Sequence, residues 1–122
     1  QIMPNIINTR KHAGMIVPAP VQSAMIAALT DDAHVAAQKD IYRARREILV
    51  EAITTAGGRI EGSEAGLYLC TWESIERLAK LGIVAGPGVF YGEGCDGYVR
   101  IALTASDAAV AAAAERLKGS VA

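Results

Sequence analysis

The sequence predicts an α+β domain in two layers, with a small, mostly antiparallel sheet of three or four short strands covered by helices. Three observations carry this prediction. Apolar residues recur at three- and four-residue steps over a long stretch between about Ala33 and Ala56, the signature of an amphipathic helix. Short runs rich in strand formers, such as Leu67-Tyr68-Leu69-Cys70-Thr71-Trp72, follow it between glycine-bearing turns. The order of elements, helix, long helix, two strands, helix, two strands, helix, leaves a short sheet with enough helix to cover it.

The 122 residues suit one domain with one modest core. An apolar share of 52% with 20% charged residues describes an ordered domain rather than a disordered one. A net charge of -1 leaves no electrostatic footprint for nucleic acid or an anionic membrane. No apolar run reaches the roughly 20 residues of a membrane span, and the start lacks a signal-peptide layout, so a cytoplasmic setting is the default. Cys70 and Cys95 show no metal-ligand spacing and read as a buried thiol and a loop thiol.

The elements follow from local chemistry. Residues 1–14 read as a helix stopping near Gly14, and Met15 to Pro20 as an extended connector, because each proline drives the preceding residue from helical geometry. Val21 to Leu29 is a helix with Val21, Ala24, Met25, Ala28 and Leu29 on one face. Thr30-Asp31-Asp32 supplies cap chemistry for the long helix. In that helix Ile41, Ala44, Ile48, Ala52 and Thr55 form the expected inner stripe, widened by Leu49 and Ile53. Arg43, Arg45, Arg46 and Glu47 form the solvated face, and Gly57-Gly58 the stop. Arg59 to Glu61 and Leu67 to Trp72 are strands, and Glu73 to Leu81 is a helix with Ile75, Leu78 and Ala79 inward. Ile83-Val84-Ala85 and Tyr98 to Leu103 are further strands, and Ser106 caps a final helix over Asp107 to Leu117.

The chemistry concentrates in Gly82 to Gly94 and the strand after it. Glycines let a backbone approach a ligand closely, and an arginine presents a planar fork of donors that matches a carboxylate or phosphate. Alternation places Val99, Ile101 and Leu103 on one strand face and Tyr98, Arg100 and Ala102 on the other. Pattern alone allows Arg100 to be an ordinary residue on a solvated sheet face. The loop lacks the GKS or GKT ending of a P-loop and does not match GxGxxG. His12 and His34 lie in polar stretches with no partner at ligand spacing.

The order GIVAGPGVFYGE…GYVRIAL, followed by Thr104-Ala105-Ser106 and a last helix, resembles the C-terminal segment of class I/II aminotransferases of fold type I, the pyridoxal-phosphate enzymes. Arg10-Lys11-His12-Ala13-Gly14-Met15-Ile16-Val17-Pro18-Ala19-Pro20-Val21-Gln22, with Asp31-Asp32-Ala33-His34-Val35, resembles the N-succinyldiaminopimelate aminotransferase branch. The resemblance implies a small-domain fold over 15–122, with 1–14 as the remnant of a connecting helix from a missing large domain. Arg100, matching the arginine of the family's (Y/F)-(V/I)-R-(I/L) strand, would bind the substrate α-carboxylate. Phe90, in the counterpart of the PG..F loop, would help wall the substrate pocket, with plain loop packing as the alternative. Gly66, in a weak match to the GG(M/F)(F/Y) strand entry where Ala65 replaces the first glycine, would let the substrate side chain lie near the backbone.

None of Lys11, Lys39, Lys80 or Lys118 stands in the family's S-x-S-K setting for the Schiff-base lysine, and the aspartate that pairs the pyridine nitrogen is also absent. The resemblance therefore implies a fragment, inactive alone, of a homodimeric transaminase. That enzyme would use pyridoxal 5'-phosphate to move an amino group between an amino acid and a 2-oxo acid such as 2-oxoglutarate, with N-succinyl-LL-2,6-diaminopimelate and lysine biosynthesis as the branch expectation. No cofactor is expected on the fragment. Two rival readings remain: a free-standing regulatory module for a small amino acid, and another fold-type-I enzyme such as an oxoamine synthase or carbon-sulfur lyase.

Overall fold

The computed structural model describes residues 2–121 and divides into two compact units, with the division between Ala37 and Gln38. The first unit holds α1 (Ile2–His12) and α2 (Ala19–Leu29), joined by a turn at Ala13-Gly14 and the extended Met15–Pro18. Neither helix buries a residue, and Ile2, Met3, Val21, Met25, Ile26 and Leu29 are all exposed. The cap expected before the long helix α3 (Asp32–Thr55) is present, since the Asp31 carboxylate accepts from the His34 amide at 3.1 Å.

The second unit is the α+β layer pair. Its sheet has the order β1 (Arg59–Ile60), β2 (Tyr68–Trp72), β4 (Tyr98–Ala102), β3 (Gly86–Pro87), and every neighbouring pair is antiparallel. In β2 and β4 alternate residues point to opposite faces. Leu69, Thr71, Val99 and Ile101 are buried on the inner face, and Leu103 continues the series. They pack with Leu49, Ala52 and Ile53 of α3, Leu78 of α4 (Ile75–Lys80), and Val110, Ala114 and Leu117 of α5 (Asp107–Lys118). Thr71 keeps its buried hydroxyl satisfied by donating to the Arg59 carbonyl at 2.9 Å.

Three local expectations are corrected. Ile83-Val84-Ala85 is not a strand, and the edge strand forms one step later, at Gly86–Pro87. The amide of Ile83 donates to the Leu78 carbonyl at 2.9 Å and that of Gly82 to Ala79 at 2.9 Å, a Schellman closure of α4. Gly82 supplies the left-handed residue this closure needs, at φ +67. With its donor engaged and its side chain buried, Ile83 ends a helix rather than starting a ladder.

The inner face of α3 is also rotated. Tyr42, Leu49, Ala52, Ile53 and Ala56 pack on the core, whereas Ile41 and Ile48 are 40% exposed and Ala44 and Thr55 face outward. Two apolar stripes lie side by side on this helix, and contact with the sheet selects between them. Arg45 and Arg46 consequently leave the solvated face, while Arg43 and Glu47 stay on it. The Arg45 side chain is 15% exposed and donates to the Asp107 carboxylate at 2.6 Å and to the Leu103 carbonyl at 3.2 Å. It ties α3 to the start of α5. On α4, Leu78 and Ile75 pack inward as expected but Ala79 is exposed.

Helix α5 keeps its expected ends. The Ser106 hydroxyl accepts from the Ala109 amide at 3.3 Å, Asp107 lies in the first turn, and Arg116 and Lys118 lie in the last. Both cysteines are free and half-buried. No helix among the described residues is long and apolar enough to cross a membrane.

Leu69→Ala, at a fully buried position between sheet and helices, should cost about 2–5 kcal/mol in chemical denaturation. Ile48→Ala should change stability by no more than about 0.5 kcal/mol. Equal losses at the two positions would mean that the inner face of α3 has been misassigned.

Candidate functional site

The outer face of the sheet carries the polar and aromatic side chains. Pairing places Cys70 of β2 and Gly86 of β3 directly opposite Arg100 on either side, with Tyr68 opposite Ala102 and Trp72 opposite Tyr98. Among the described residues Arg100 is therefore the cation in the middle of this face, on one of the two strands that are paired along both edges.

Its guanidinium lies 4.0 Å from the ring centroid of Tyr68 and 4.0 Å from that of Tyr91. Tyr68 reaches it from the adjacent strand. Tyr91 reaches it from the single 3-10 turn Gly88–Tyr91 that follows β3. Cation–π contact of this kind engages the ring faces and consumes none of the guanidinium's N–H donors. Among the described residues Arg100 makes no ion pair and no side-chain hydrogen bond, although six of the acidic side chains are engaged with bases or capping amides elsewhere. A half-buried guanidinium with unpaired donors has the chemistry to meet a carboxylate or phosphate.

Phe90 and Gly66 stand differently. Phe90 lies in the same turn as Tyr91 but is 76% exposed. Gly66 sits in the turn before β2 at φ +83, with nothing within 4 Å of where a side chain would begin, so it is an open left-handed position. The structure joins neither to Arg100 by a contact. Sequence reasoning missed Tyr68 and Tyr91. Tyr68 had a usable signal, because its two-residue offset from Cys70 places it on the Arg100 face; Tyr91 had none, because its position depends on how the turn folds back.

Beyond Arg100, Trp72 and Tyr98 meet edge to face at 5.0 Å. The Tyr98 hydroxyl donates to Glu61 at 2.6 Å, and Arg59 pairs with Glu61 at 2.7 Å. The bond to Glu61 raises the Tyr98 phenol above its ordinary value of 10.0, and Arg59 partly opposes it. A concavity of about 360 Å³ is lined by Gly57, Arg59 and Trp72, and one of about 490 Å³ lies between the end of β4 and α5. Neither of these two is lined by Arg100. His12 and His34 are exposed. Among the described residues no group of His, Cys, Asp and Glu has the arrangement of a metal site.

The model of the family "Aminotransferase class I and II" matches residues 8–117. A 4-dedimethylamino-4-oxo-anhydrotetracycline transaminase of Streptomyces rimosus is 53% identical over 118 residues, which cover 92% of this chain and 33% of that protein. A probable aminotransferase of Mycobacterium tuberculosis is 49% identical over 123 residues, covering 96% and 29%. Among solved structures, N-succinyldiaminopimelate aminotransferase from Mycobacterium tuberculosis matches with a TM-score of 0.72 at 27% identity, covering 89% of this chain and 32% of that one. The chain spans about a third of the length of these relatives.

The protonated phenol is the form of Tyr98 that bonds Glu61. Its contribution is complete below the ordinary tyrosine value and is lost as the pH rises through the higher folded one. In an ultraviolet titration Glu61→Gln should lower the pH at which Tyr98 ionises, with Tyr98→Phe identifying the component that moves. Superimposable curves for wild type and Glu61→Gln would remove the Glu61 bond as the cause.

Proposed function

The chain belongs to the class I and II aminotransferase family, and on that premise we propose that it is the C-terminal small domain of a cytoplasmic, pyridoxal-phosphate-dependent transaminase whose substrate α-carboxylate is bound by Arg100. One observation carries the reading: Arg100, on the outer sheet face, touches two aromatic rings and makes no ion pair or side-chain hydrogen bond among the described residues. A carboxylate meeting the guanidinium edge forms two parallel charge-assisted bonds, which fix its plane as well as its place. The same contact serves amino-acid and 2-oxo-acid substrates, since both carry that group. It also sets the direction of the Cα–H bond, so that Arg100 contributes orientation along with affinity.

Pyridoxal phosphate, when bound in the complete enzyme, supplies the electron sink that stabilises negative charge at Cα. The residues of this chain do not fit its site. Lys11, Lys39 and Lys80 are exposed on helices, and the Lys118 amine is 2.8 Å from Glu51. None lies on the sheet that bears Arg100. The proton-transferring lysine and the phosphate ligands belong, on this reading, to a large domain of the same polypeptide. Residues 1–14 are then the remnant of the connection to it, and 15–122 the small domain. That large domain, and a second subunit of a homodimer, would cover the exposed apolar side chains of α1 and α2.

For the amino donor we favour a diaminopimelate derivative such as N-succinyl-LL-2,6-diaminopimelate, with a 2-oxo acid such as 2-oxoglutarate as acceptor, in lysine biosynthesis. The likeness to the Mycobacterium tuberculosis enzyme supports this choice. Phe90, in the turn after the edge strand β3, and Gly66, in the turn before β2, are the proposed walls for the rest of the substrate.

In the full-length enzyme Arg100→Lys should raise KM and lower kcat/KM for amino-acid and oxo-acid substrates by about one to three powers of ten, because one or two charge-assisted bonds are lost. Cofactor absorbance should be unchanged. A variant that lost cofactor while keeping a normal KM would make Arg100 structural and overturn the proposal.

A further inference from the structure

Gly86 lies directly opposite Arg100 in the β3–β4 pair. Its φ is not in the left-handed region, so the backbone does not call for glycine there. Space does. A Cβ at this position would stand 2.8 Å from the Tyr91 hydroxyl and 3.6 Å from two of its ring carbons. The Tyr91 hydroxyl thus takes up the space where a side chain at 86 would begin, its ring packs alongside at ordinary contact distance, and that ring meets the guanidinium.

From this juxtaposition we propose that Tyr91, admitted by Gly86, is a positioning residue that clamps Arg100 against Tyr68 and presents its N–H edge to the incoming carboxylate. Arginine is a long side chain that loses considerable rotamer freedom when it is fixed by a ligand. A clamp that fixes it beforehand moves that loss from binding into folding. Cation–π contact with two rings leaves the N–H donors free, whereas a protein carboxylate in the same place would have consumed them. Tyr68 is 39% and Tyr91 46% exposed, and neither belongs to the core cluster. Their placement serves the arginine rather than the packing of the fold.

The inference rests on the reading of Arg100 as carboxylate ligand, so its test has two arms. In the first, the 122-residue chain is isotope-labelled and the Arg100 side-chain resonances are followed by NMR. The two rings should displace them upfield of those of the other arginines. Tyr91→Leu should remove roughly half of that displacement, one of the two rings being lost. Gly86→Ala, which pushes the ring aside while leaving it in the chain, should reduce it too, and Tyr91→Phe should preserve it.

In the second arm, in the full-length enzyme, Tyr91→Leu should raise KM for amino-acid and oxo-acid substrates about three- to thirty-fold while kcat stays within about two-fold. Tyr91→Phe should restore wild-type values. Arg100 resonances unmoved by Tyr91→Leu, or a Tyr91→Phe enzyme as impaired as Tyr91→Leu, would overturn the clamp; the latter would mean that the hydroxyl itself is used. If the resonances shift as expected but Arg100→Lys leaves KM unchanged, the carboxylate reading fails and the clamp stands.

Discussion

Everything the structure offers depends on the pairing of β2 with β4. Five consecutive cross-strand partners, from Tyr68 with Ala102 to Trp72 with Tyr98, fix a register in which Leu69, Thr71, Val99 and Ile101 all turn to the helices. The hydrophobic gain from burying these residues is what holds that register. The same gain places Arg100, Cys70, Tyr68, Trp72 and Tyr98 on the opposite face. The core and the candidate site are two sides of one constraint, and neither can be moved without the other.

Much of this was legible because alternation is a short-range code. The face of Arg100 follows from its own strand, the caps of α3 and α5 from Asp31 and Ser106, and the helix stops from Gly57 and Gly82. The resemblance supplied the role proposed for Arg100, which pattern alone had left open. What stayed hidden depends on contacts distant in the chain. Ile41-Ala44-Ile48 and Tyr42-Leu49-Ile53 are both acceptable stripes on α3, and only the sheet decides between them. Arg45 reads as a surface charge until Asp107 and the Leu103 carbonyl, far along the chain, come within its reach. Ile83 to Ala85 has strand composition, yet the closure of α4 claims its first residue. Tyr91 is unreadable for the same reason, since nothing local shows that its turn folds back over Gly86.

The two strands beside β4 divide the labour of supporting the arginine. The β2 neighbour is long, regular and backed by the core, so Tyr68 is carried on a rigid element. The β3 neighbour is two residues long, and the aromatic it contributes comes from the turn beyond it. One of the two rings at the guanidinium is thus carried by the sheet, the other by a short turn at its edge. An outer face of this kind, with its arginine lining neither of the two concavities, suits a group that completes a cleft formed with another domain.

Register has a further consequence, for how such a domain can change over evolutionary time. Replacing one residue in β4 by another leaves every other side chain on its face. Inserting or deleting one residue within Tyr98 to Ala102 would send the arginine into the apolar layer and bring Val99 and Ile101 to the surface, costing fold and site in a single event. The residues between Tyr91 and Tyr98 lie outside the strands and past the turn that carries Tyr91, and escape this parity, so length variation among descendants of this chain belongs there and not in the strand it feeds.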